Sequence, residues 1–96
     1  MSTLDRILAR REEFLAIMKR HGASNPRVFG SVARREDGPD SDVDLLVEME
    51  TGRSLVDLIS LQQEIESNLG CRVDLLTPGS LNRHIRERIL AEALPL

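Results

Sequence analysis

The chain has 96 residues, with 13 Lys and Arg against 16 Asp and Glu and a formal charge of −3. One domain, residues 1–96, fits that length, and the acidic balance excludes a general nucleic-acid binder, which carries a basic face. Phe14 and Phe29 are the only aromatic residues, so the usual aromatic platform for stacked bases is missing and a core must come from Leu, Ile and Val. Cys71 is the single cysteine. No disulfide can form within the chain, and a reducing cytoplasm is the expected setting. No apolar run resembles a signal peptide or a membrane span, so no membrane contact is expected.

In chain order, residues 3 to 20 read as one amphipathic helix, with Leu4, Ile7, Leu8, Leu15 and Met18 on its apolar stripe. Ser2 or Thr3 can cap it, and Gly22 ends it. Asn25-Pro26 signals a turn. Val28-Phe29 is a short β run halted by Gly30-Ser31, and residues 32 to 36 form a helical turn. After the Asp37-Gly38-Pro39-Asp40 loop, residues 42 to 48 read as a strand. Residues 54 to 69 read as a helix burying Leu55, Leu58, Ile59, Ile65 and Leu69, with Gly70 as its stop. Residues 72 to 76 give a third strand, and Leu81, Ile85 and Ile89 mark a last helix before the apolar tail Leu94-Pro95-Leu96. The order is α-β-α-β-α-β-α. It predicts an α/β (α+β) fold, a small mixed sheet with helices packed against it.

The chemistry lies in Phe29-Gly30-Ser31, Arg34 and Ser41-Asp42-Val43-Asp44-Leu45-Leu46-Val47. Alternate strand residues share a face, so Asp42 and Asp44 point together while Val43, Leu45 and Val47 enter a core. Two carboxylates so placed repel, and without a cation one is driven toward its protonated form. Mg²⁺ relieves the pair, taking a few carboxylates and leaving its other positions to water and phosphate. Asp74 repeats the pattern between Val73 and Leu75. On a buried strand it needs a positive partner; beside the Asp42–Asp44 strand it would complete a three-carboxylate metal site. Gly30 lets the backbone approach a phosphate closely, and Ser31 adds a hydroxyl at a helix start, where anions are favoured.

This stretch resembles the signature of the polymerase-β-like nucleotidyltransferase superfamily, and most closely its small stand-alone MNT type. The likeness runs from residue 3 to residue 94 in helix and strand order. It implies the nucleotidyltransferase fold, with Mg²⁺ as cofactor and ATP as nucleotidyl donor. It implies that Gly30, Ser31 and Arg34 bind the nucleotide, and that Asp42, Asp44 and Asp74 are the catalytic, metal-binding carboxylates. It implies an antitoxin role beside a helical HEPN-type toxin chain, with AMP passed to a hydroxyl on that partner. One residue departs from the pattern: relatives often carry Gly after the arginine, where this chain has Arg35.

Two classes of function are open at this level. One is an enzyme whose acceptor comes from a partner, since the chain has no Tyr of its own and no room for a second domain. The other is a binding module that neutralises a toxin by contact, with its acidic charge and apolar tail docking on a basic protein. Transfer to a small molecule ranks third, because nothing here would shape its site. The Arg83, His84, Arg86 and Arg88 cluster reads as a solvated helix face.

Overall fold

The computed structural model describes residues 2–96. Ser2 caps α1 (Thr3–Ala9): its hydroxyl accepts from the Asp5 amide and the Asp5 carboxylate accepts from the Ser2 amide, a reciprocal capping box. The expected single helix is two, because α1 stops at Arg10 and α2 spans Arg11–Arg20. Arg6 and Arg10 reach across to the carbonyls of Leu69 and Asn68 at 2.7 and 2.8 Å, where a helix end favours cations. The break changes the phase of the apolar stripe. Leu4 and Ile7 are joined in the core by Phe14, Ile17 and Met18, while Leu8 is 43% exposed and Leu15 is half-buried.

The sheet has four strands, in the spatial order Val73–Leu76, Val43–Met49, Ala23–Phe29 and Leu94–Pro95. β1 (Ala23–Phe29) runs antiparallel to β2 (Val43–Met49), and β2 runs parallel to β3 (Val73–Leu76). β1 is longer than the sequence suggests. Asn25-Pro26 does not end it but forms an irregularity within it, with Asn25 at φ 51° and the register slipping between Ser24 and Arg27. α4 (Leu55–Leu69) starts at the Ser54 cap and ends at Gly70, whose φ of 72° suits the left-handed stop. Its buried face is Leu61, Ile65 and Leu69, with Leu58 packed alongside. Leu55 and Ile59, expected inside, are 69% and 47% exposed. The stripe follows the three- and four-residue steps that lead back from Leu69, and the first turn of α4 leaves Leu55 and Val56 exposed.

The apolar tail also departs from expectation. Leu94–Pro95 is a fourth strand, β4, antiparallel to β1, and Leu96 is buried in the chain's own core with its amide donating to the Pro26 carbonyl at 3.0 Å. Proline fits such an edge position. The tail therefore closes the sheet rather than offering a docking arm. No helix among the described residues is long and apolar enough to cross a membrane.

One face of the sheet carries Val28, Val43, Leu45, Val47, Val73 and Leu75 into the helices. The opposite face, bordered by α3 (Gly30–Ala33) and α5 (Arg83–Glu92), holds the polar residues discussed below. Just after α3 lies Arg35, at φ 58°. That left-handed conformation costs a side-chain-bearing residue about 1–2 kcal/mol, which explains why glycine suits the position. Arg35 is held there by the Asp5 carboxylate at 2.9 Å and the Ser2 hydroxyl at 3.0 Å. The pair is half exposed, so it offsets little of that cost. Arg35→Gly relieves the strain as it loses the pair, whereas Arg35→Ala loses the pair and keeps the strain. In thermal unfolding the glycine variant is expected to be the more stable of the two, by about 1 kcal/mol.

Candidate active site

The register of the sheet builds the site. Phe29 on β1 pairs with Asp44 on β2, and Asp44 pairs with Asp74 on β3. All three lie in one row, and strand alternation sends them to the face away from the main core. Phe29 is buried, Asp44 half-buried and Asp74 exposed. The exposure of Asp74 corrects the expectation of a buried strand position: only Val73 and Leu75 of β3 are buried. Asp42 precedes β2, and its carboxylate meets Arg72 at 3.2 Å. Among the described residues, no three carboxylate, imidazole or thiol groups are already gathered around one point as a metal cage. Asp44 and Asp74 stand together by register, while Asp42 is turned toward Arg72.

Asp44 is the electrostatic centre. Burial pushes its carboxyl above the usual range, and the charges of Asp74, Asp42 and Glu92 push it the same way against the opposing pull of Arg34. Gly30 lies against it. A Cβ on Gly30 would collide with Asp44 Oδ2, and Gly30 has φ +74°, so both space and backbone favour glycine. The neighbouring Ser31 is half-buried in the first turn of α3.

Glu92, the last residue of α5, is a site residue that the sequence reading passed over. Its Oε1 accepts from the Gly30 amide at 3.0 Å, and its two carboxylate oxygens each lie 3.2 Å from Arg34 Nη1. Arg34 also donates through Nε to Glu36 at 3.0 Å. Between α3 and α5 opens a cleft of about 510 Å³, lined by Phe29, Ile85 and Ile89 on its apolar side and by Arg34, Arg88 and Glu92 on its polar side. Arg88 thus borders the site, while Arg83 pairs along the helix with Glu87 at 3.7 Å. The histidines lie apart: His21 meets Glu64 between α2 and α4 at 2.9 Å, and His84 is exposed on α5.

The donor set suits a hard divalent cation. It is all carboxylate, and burial together with the neighbouring negative charges makes the ionised form of the central member costly, a cost that a cation would offset. Asp44 and Asp74 would hold such an ion, with Asp42 available once it leaves Arg72.

Residues 11–96 match the family described as the nucleotidyltransferase domain. The chain belongs to that family. Protein adenylyltransferase MntA of Thermococcus cleftensis is 41% identical over 78 residues, covering 81% of this chain and 79% of its own length. A solved structure provisionally named a minimal nucleotidyltransferase is 49% identical, with a TM-score of 0.89 over 100% of this chain and 97% of its own. The family fold extends to a complex of a tri-AMPylated Shewanella oneidensis HEPN toxin with an MNT antitoxin. That neighbour is 16% identical, with a TM-score of 0.69 over 92% of this chain and 69% of the other. The family has this mixed sheet, so the α/β architecture read from the sequence holds, with β4 added to it.

The electrostatics give a test in the protein alone. The folded-state pKa of Asp44 lies above its unfolded value, so its charge opposes folding, weakly at acid pH and more as pH rises through the carboxylate range. Asp44→Asn is expected to raise the melting temperature at pH 7, with the gain shrinking toward pH 3.9, about the unfolded value. Millimolar Mg²⁺ is expected to raise the melting temperature of the wild type and leave that of Asp44→Asn unchanged. A metal response equal in both chains would detach Asp44 from cation binding.

Proposed function

We propose that this nucleotidyltransferase domain moves AMP from ATP to a hydroxyl on a partner protein, using Mg²⁺, as the antitoxin of a HEPN-type toxin. The observation that carries the reading is the shared register of Asp44 and Asp74, beside a glycine whose positive φ and contact with Asp44 disfavour any side chain. The names of relatives support the acceptor: one is a protein adenylyltransferase, and a more distant neighbour is bound to an AMPylated HEPN toxin.

In this reading each group has one task. The Gly30 amide, the Ser31 hydroxyl and the Arg34 guanidinium hold the triphosphate. Asp42, Asp44 and Asp74 hold Mg²⁺, which when bound steadies the negative charge of the reacting phosphates. The acceptor oxygen bonds to the α-phosphorus and gives up its hydroxyl proton to solvent, the bond from that phosphorus to the oxygen bridging to the β-phosphate breaks, and pyrophosphate leaves. The face that bears the carboxylates is open on the Asp74 side, so an acceptor carried by another protein has a route to them. The chain places no imidazole here as a proton acceptor, since both histidines lie elsewhere.

The test is label transfer. The chain is purified with the protein encoded beside its gene and given Mg²⁺ and ATP labelled at the α-phosphate. Label is expected on the neighbour, and its yield is expected to fall at least about a hundredfold with Asp42→Ala/Asp44→Ala, the scale of losing charge stabilisation in the transition state. Tight co-purification without label on either chain would instead favour inhibition by contact.

A further inference from the structure

We infer that Glu92 is an internal competitor for the triphosphate, and that nucleotide enters this site by displacing it. The inference rests on the assignment of Gly30 and Arg34 to phosphate binding. Both groups are taken, and by the same carboxylate. Glu92 Oε1 accepts from the Gly30 amide at 3.0 Å, and both its oxygens lie 3.2 Å from Arg34 Nη1. A carboxylate offering two oxygens to an amide and a guanidinium makes the contacts that phosphate oxygens would make.

Three further observations make this occupant displaceable. α5 buries none of its residues, so little apolar surface holds the helix down. The Arg34–Glu92 pair is half exposed, with 48% and 39% of the side chains open to solvent, and such pairs are weak. The cleft of about 510 Å³ already separates α5 from Phe29 and Gly30 beside the pair. The chain on the far side of the carboxylate is firmly held, because β4 follows at once and Leu96 is buried. Glu92 therefore moves by rotation of its side chain or tilting of α5, while the sheet stays in place.

Glu92 also adds negative charge to the site. Its charge acts on Asp44 in the same sense as those of Asp74 and Asp42. Its departure leaves Arg34 free for phosphate and removes one repulsion from the carboxylates. A binding-competent state that is only fractionally populated weakens apparent affinity by that fraction. Removing the competitor should then tighten binding with no new contact to the ligand.

Calorimetry on the whole chain tests this, with ATP, inorganic tripolyphosphate and adenosine as probes, without divalent metal and again with Mg²⁺. Glu92→Ala is expected to bind ATP and tripolyphosphate about two- to fivefold more tightly than the wild type, the scale of one weak charged contact. Adenosine, which has no phosphate, is expected to bind both chains equally. Glu92→Gln keeps an acceptor for the Gly30 amide but loses the charge, so it should fall between them; it carries the test if the alanine variant melts early. Equal or weaker ATP binding in both variants, with ATP bound by the wild type, would overturn the inference and make Glu92 a bystander or a ligand contact. Failure of every chain to bind ATP or tripolyphosphate would overturn the nucleotide reading itself.

Discussion

Asp44 and Asp74 lie side by side on adjacent parallel strands, and the partial burial of Asp44 together with their mutual repulsion sets the terms for the rest of this structure. Strand pairing fixes their separation, and the core-facing residues on either side fix the pairing. A slip of one residue would turn Val43, Leu45 and Val47 out of the core. The hydrophobic face therefore holds the charged face in an arrangement that it would not adopt alone. Part of the chain's stability is diverted to keep these carboxylates together.

The surrounding elements serve the same row. Gly30 leaves room for Asp44, since any larger residue would strike its carboxylate. Its left-handed backbone turns the chain from β1 into α3, placing Arg34 as a positive counterweight to Asp44. β4 closes the edge of β1 and sets the end of α5, and with it Glu92, against Gly30. The chain is thus a small sheet with one dry side packed into the core and one side that carries the charged row. A domain of this size has little stability to spare, and so the charged side is kept at the surface.

Much of this was legible in the residues. The spacing from Gly30-Ser31 to Asp42 and Asp44, the alternation in β2 and the glycine stop at Gly70 all depend on neighbours close in sequence, and local rules read them. What escaped depends on distant parts. Arg10 breaks the first helix without Gly or Pro, because its side chain and that of Arg6 reach the end of α4. Asn25-Pro26 carries the turn signal of a loop, yet β2 on one side keeps it in the sheet. Leu94 to Leu96 looked like a free apolar tail because nothing in the tail itself names β1 as its partner. Glu92 ends an ordinary charged helix and is 62 residues from Gly30, a pairing that no motif reports. Arg35 was visible as a departure, and its φ of 58° supplies the reason that glycine fits there.

The central claim is that the shared register of Asp44 and Asp74 creates a carboxylate in need of a cation. Carbon-13 NMR titration of the aspartate carboxyls in the metal-free chain tests it directly. Asp44 is expected to titrate above the ordinary carboxylate range and to fall toward it in Asp74→Asn, where one of the opposing charges is gone. An Asp44 that titrates in the ordinary range, unmoved by that substitution, would contradict the account.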